Sequence, residues 1–194
     1  ERHVEALSTR LVGLDHEVTV FCRGRYNTIT GDSYRGVRLK NGPALYSKHL
    51  EAISHTALTL PRMLRGFDVV HIHATGPALL SWLPRLAGMV TGTKTVVTVH
   101  GLDYRRAKWG GLSSAVLRAG AWCAGRVPHA TIVVSPELKR YYASQGRATT
   151  YIPNGVSEPT QQSTQQSTQH SGQQPGQGLA RFGLKPENYI LFLG

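Results

Sequence analysis

Asp68-Val69-Val70-His71-Ile72-His73, Thr95-Val96-Val97-Thr98-Val99-His100 and Ala130-Thr131-Ile132-Val133-Val134-Ser135 are short β-branched runs, each ending on a hydrogen-bonding side chain. Between them lie two stretches of helical character, Pro77 to Ala87 and Leu112 to Gly125. The runs are nearly continuous in hydrophobicity rather than alternating, as expected of strands covered on both faces. Parallel neighbours need a long crossover, and a helix is what usually fills it. The alternation therefore predicts an α/β fold with a parallel, doubly wound, Rossmann-like sheet. Pro77 suits the first turn of its helix. Ser135 runs straight into Pro136, so its hydroxyl can cap the helix that Pro136 begins.

Working outward, Val4, Leu7, Leu11 and Leu14 recur at helical spacing between Arg2, Glu5, Ser8 and Arg10, which predicts an amphipathic helix weakened at Gly13. A strand over Glu17–Cys22 follows, then Gly36-Val37-Arg38-Leu39-Lys40 as a second short one. Leu50, Ile53, Ala57, Leu60 and Leu64 step by three and four, predicting a helix interrupted or restarted at Pro61. Thr150-Tyr151-Ile152 reads as a final strand before Pro153-Asn154-Gly155. Residues 160–178 repeat Gln-Gln-Ser-Thr without a large apolar side chain, too little to offset the entropy of ordering, so 157–178 is expected to be a solvated insertion. Leu179 to Leu184 can form a short helix, and Tyr189-Ile190-Leu191-Phe192-Leu193-Gly194 reads as a buried strand with a glycine at its end. The expected organisation is an α/β domain over 1–156, the insertion, and over 179–194 a linker with the first strand of a second domain.

The 194 residues carry 22 Lys+Arg against 11 Asp+Glu, a net charge of +11, with 40% hydrophobic and 8% aromatic side chains. No apolar run approaches the roughly 18 residues of a membrane-spanning helix. Two cysteines, Cys22 and Cys123, cannot make a disulfide framework, which favours a reducing compartment. Position 1 is not Met and no signal peptide is visible, so Glu1-Arg2-His3 reads as the inside of something longer. Basic residues are spread along the chain and cluster only at Arg105, Arg106 and Lys108. Composition leaves nucleic acid, anionic lipid and phosphorylated small molecules open as partners. With no basic, aromatic-interleaved strand and no recognition helix, nucleic acid is set aside.

In open parallel sheets ligands bind beyond the carboxyl ends of the strands. Those ends carry Cys22-Arg23, His73-Ala74-Thr75-Gly76, His100-Gly101-Leu102-Asp103, Ser135 and Asn154-Gly155. His71 and His73, two apart on a strand, face one side. With His100 they raise a three-histidine zinc site, set aside because His71 belongs inside the sheet and no Cys or acidic ligand assists. No metal is expected. His100 followed by Gly101 can present its ring to the crevice, where neutral imidazole meets a sugar hydroxyl and imidazolium a diphosphate. A plain hydrogen bond to a neighbouring loop is its other reading. Arg105, Arg106, Lys108 and Trp109 offer guanidinium, ammonium and an aromatic to phosphate, sugar or a membrane surface, or are merely a solvated face. Ser135 serves as a cap, a use compatible with binding an anion at the helix's amino end. Asn154-Gly155 is a common turn dipeptide. Nucleophile elbows, Walker loops and an Asp-x-Asp pair are absent from the sequence.

In this order, Glu1-Arg2-His3-Val4 with Leu7 and Leu11, His16–Val20, Phe67–His73, Thr98-Val99-His100-Gly101-Leu102-Asp103, Ile132–Ser135, Tyr151-Ile152-Pro153-Asn154-Gly155-Val156 and Tyr189–Gly194 resemble the amino-terminal half of the family 4 retaining glycosyltransferases of GT-B fold. The resemblance covers nearly the whole chain apart from the Gln/Ser repeat. It implies two facing Rossmann-like domains, the second holding most of the nucleotide sugar and the first most of the acceptor. It implies that His100 is the catalytic histidine approaching the donor sugar or diphosphate, that Gly101, Ser135, Asn154 and Gly155 border that cleft, and that Asp103, Arg105, Arg106, Lys108 and Trp109 lie toward the acceptor. It further implies a nucleotide-sugar co-substrate, no metal or other cofactor, and a saccharide, lipid-linked or phospholipid acceptor. A cytoplasmic enzyme with an anionic inner-membrane face as partner follows, acting in polysaccharide or glycolipid synthesis. Two departures matter. A first strand with its glycine-rich turn is expected ahead of Glu1, and the donor-binding domain is expected after Gly194, so this chain by itself is expected to be inactive, with an exposed sheet edge. The reading from another class is a non-catalytic remnant or scaffold that binds a partner or an anionic membrane surface.

Overall fold

The computed structural model describes residues 2–47, 51–102, 104 and 111–155. Residues Glu1–Asn154 form one unit, and the expected insertion and second-domain strand lie outside the described residues. Helix α1 (Arg2–Val12) presents Ser8 to the interior and leads to strand β1 (Thr19–Arg23). A 3₁₀ turn at Gly24–Tyr26 and the two-residue β2 (Ser33–Tyr34) precede β3 (Val37–Gly42). Helix α2 (Glu51–Thr59) ends where Pro61 removes a backbone donor, and Leu60–Arg62 tighten into a 3₁₀ turn. Then follow β4 (Val69–His73), α3 (Thr75–Ala78), α4 (Trp82–Thr91), β5 (Lys94–Val99), α5 (Gly111–Arg126), β6 (Ala130–Val133), α6 (Pro136–Ala143) and β7 (Thr150–Tyr151).

Strands β4-β5-β6-β7 pair in that order, all parallel, with His73 opposite Thr98 and Val99 opposite Val133. The single sheet the sequence predicts is divided among the described residues. Strands β1, β3 and β2 form a separate sheet, in which β1 and β3 run parallel and β2 adds a short antiparallel edge. The antiparallel pairing is confined to a tight turn at Arg35-Gly36, both at positive φ, and leaves the parallel, Rossmann-like α/β class intact. Between the edge strands β1 and β4 runs a largely apolar cavity of about 350 Å³, bordered by Leu7, Leu11, Val20, Met63, Val69 and Ile72.

The helix expected over Pro77–Ala87 is two helices. Pro84 cannot donate to the carbonyl of Leu80, so a helix begun at Thr75 cannot run through it, whereas the first turn of a new helix accepts it. Val70 and Ile72 of β4, Val97 and Val99 of β5 and Val133 of β6 pack with Ala78, Ala124, Leu138 and Tyr142 into the core. At Gly120 of α5 a methyl group would run into the carbonyl of Thr75, so glycine lets α5 close on the start of α3. Buried Tyr142 donates its hydroxyl to the carbonyl of Ala121 at 3.0 Å, pinning α6 to α5.

Candidate functional site

Alternation along β4 sends Val70 and Ile72 into the core and His71 and His73 to the other face. His71 is anchored first: its Nε2 lies 2.7 Å from the hydroxyl of Thr98, a buried residue of β5. His73 stacks on His71 with ring centroids 4.3 Å apart. His100, directly beyond the end of β5, stacks on His73 in turn, and Nδ1 of His73 lies 3.3 Å from Nε2 of His100, a hydrogen bond. His3, in the first turn of α1, closes the group edge-on, 4.8 Å from the His100 ring and 5.7 Å from that of His73. Four imidazoles thus gather at the carboxyl end of β4 and β5.

Electrostatics keep the inner two uncharged. Burial, then the neighbouring His3 and His100, push the His71 pKa down to about 4. Burial, then His71, His100 and His3, push that of His73 down to about 3. A neutral His73 that donates its Nδ1–H to Nε2 of exposed His100 fixes the proton of a neutral His100 on Nδ1.

The backbone at this edge is also unusual. Ala74 sits at φ 77°, ψ 157°, a region that glycine enters and other residues reach only under strain. Its N–H donates to the Thr98 carbonyl at 3.0 Å and its carbonyl accepts from Ala78 at 3.3 Å, so both sides hold the turn. Next along the sheet, Ser135 caps α6, its hydroxyl accepting from the Leu138 N–H at 3.3 Å. The first turn of α6 already carries an anion. Glu137 bonds its own backbone and Ser135, which holds its carboxyl below the usual range. Among the described residues, its chain neighbours aside, Gly101 has no atom within 4 Å of where a side chain would begin.

Of the residues singled out in the sequence, His100, Gly101 and Ser135 lie beyond the carboxyl ends of adjacent parallel strands, and exposed Asn154 follows β7. Exposed Gly155 begins the second unit. Asp103, Arg105, Arg106, Lys108 and Trp109 lie outside the described residues. Tyr104 among them is held: its hydroxyl bonds that of Tyr141 at 3.1 Å, its carbonyl accepts from Ser114, and Arg118 lies over its ring. His3 carries no such signal in the sequence, because a helix position says nothing of which strand tips it overhangs. His71 is satisfied by Thr98, as packing inside the sheet requires.

No helix among the described residues is long and apolar enough to cross a membrane. No curated protein matches the chain. The family model for Glycosyltransferase Family 4 matches residues 1–158, spanning the parallel sheet and the histidine group. The chain belongs to Glycosyltransferase Family 4, and its α/β unit is a Rossmann-like domain of glycosyltransferase type.

Proposed function

We propose that this domain forms the acceptor-side wall of a sugar-transfer cleft, in which a nucleotide sugar supplied by a facing domain meets His100. One observation carries the reading: His100 stands beyond the carboxyl end of β5, backed by the uncharged, half-buried pair His73 and His71. As the diphosphate leaves, negative charge develops on its oxygens, and a preoriented N–H in a partly desolvated site favours that charge. Gly101 lets the guest approach the backbone, the capped end of α6 at Ser135 flanks it, and Asn154-Gly155 continue the rim. Asp103 to Trp109 supply the acceptor side, with Arg105, Arg106 and Lys108 suited to a phosphate-bearing acceptor. Transfer proceeds with retention of configuration and with protein groups rather than a metal ion stabilising the leaving group. The domain alone is inactive, because the donor needs a second wall. In the complete enzyme, His100→Ala lowers turnover by roughly a hundredfold or more while the fold persists; near-normal turnover removes His100 from the reaction.

A second feature supports a membrane-surface partner. Helix α4 exposes Trp82, Leu86, Met89 and Val90 along one side, with Met89 at 75% and Val90 at 92%. Spacings of four, seven and eight set these on a single apolar stripe. In a protein of net charge +11, such a stripe with a tryptophan suits the interface of an anionic bilayer. Replacing Trp82, Met89 and Val90 by Ser lowers binding to vesicles rich in anionic lipid; unchanged binding excludes α4 as the contact.

A further inference from the structure

The group His3, His73 and His100 has a property that sugar transfer does not call upon. One ring nitrogen of each lies within 4.8 Å of those of the other two. They come from three separate elements, the first turn of α1, the end of β4 and the residue after β5. Around a tetrahedral Zn²⁺ with Zn–N near 2.0–2.1 Å, neighbouring ligand nitrogens stand about 3.3–3.4 Å apart. His73 and His100 already meet that spacing at 3.3 Å. His3 must close by about an ångström and a half, a side-chain rotation within reach at the first turn of a helix.

We propose that His3, His73 and His100 form a binding site for one borderline divalent transition-metal ion of the Zn²⁺ class. Among the described residues the set holds imidazoles and no carboxylate, and imidazole nitrogens select Zn²⁺, Co²⁺, Ni²⁺ or Cu²⁺ over Mg²⁺ and Ca²⁺, which demand oxygen. Three protein ligands leave one position for water, and an ion held there occupies His100 and so competes with the proposed transfer rather than taking part in it. His71 stays outside the ligand set, its Nε2 engaged by Thr98, and acts as the wall on which the His73 ring rests. The site overlaps the proposed donor pole but does not rest on that reading, since it requires only the three rings.

Co²⁺ tests it by absorbance, on the full chain after chelator treatment and at neutral pH. The expected result is one equivalent bound with the intense visible bands of a four-coordinate site, displaced by Zn²⁺ and unaffected by excess Mg²⁺. His3→Ala and His100→Ala, each checked for an unchanged circular dichroism spectrum, weaken binding by roughly tenfold or more. His16→Gln, an exposed histidine elsewhere on the unit, leaves it unchanged. A weak six-coordinate spectrum of the unsubstituted chain, which needs no variant to fold, overturns the proposal. So does full-strength binding in His3→Ala.

Discussion

Ala74→Gly stabilises this protein, against the usual cost of introducing glycine. The residue occupies φ 77°, ψ 157°, beside His73 and ahead of buried Thr75, with its N–H and carbonyl bonded to Thr98 and Ala78. A side chain held there stores about 1–3 kcal/mol of strain. Glycine removes the offending Cβ but enlarges the unfolded ensemble, at about 0.4–1 kcal/mol. The balance is a gain of about 1 kcal/mol, which for a unit of this size raises Tm by about 2–4 °C. Equilibrium urea unfolding followed by circular dichroism reads it as a higher midpoint with an unchanged slope. Ala74→Val tightens the same clash and moves the midpoint the other way. A midpoint equal to or below that of the unsubstituted chain for Ala74→Gly refutes the strained turn and the over-determined geometry that presents His73.

Gly120→Ala drives a methyl into the Thr75 carbonyl, so α5 and α3 must separate; a loss of about 1–3 kcal/mol appears in the same unfolding assay. Stability also falls in acid. Unfolded histidines titrate near pH 6.5, whereas folded His71 and His73 titrate at about 4 and about 3. The unfolded chain therefore binds more protons between these values, and stability is whole above about pH 6.5 and declines as pH drops towards 4, by on the order of 2 kcal/mol per ring at pH 5. Urea titrations with a chelator present check this: His71→Gln/His73→Gln flattens the decline, and an equal decline in that variant contradicts it. Gly101→Ala leaves the unfolding free energy within about 0.5 kcal/mol, because among the described residues no atom beyond its chain neighbours meets the new methyl, yet weakens donor binding in the complete enzyme by calorimetry.

The strands of the larger sheet are legible because Val69–His73, Lys94–Val99 and Ala130–Val133 are dominated by β-branched residues, a local signal. Ser135-Pro136 marked the start of α6 for the same reason, cap and first-turn proline being neighbours. The division of the sheet at β1 and β4 was not legible, since strand order depends on residues far apart. The break between α3 and α4 was hidden by the apolar Leu79-Leu80, although Pro84 held the clue. Within the site, the shared face of His71 and His73 followed from strand alternation. The reach of His3 across to them depends on how α1 crosses the strand ends, which no spacing encodes.

In the proposed cleft the His100 imidazole, backed by His73, faces a sugar-diphosphate guest. Imidazole C–H resonances of the complete enzyme, assigned by His100→Gln and His73→Gln, measure this directly during titration with a nucleoside diphosphate. Both resonances are expected to move and to saturate together with binding. Saturable binding that leaves the His100 resonance unmoved would contradict that arrangement.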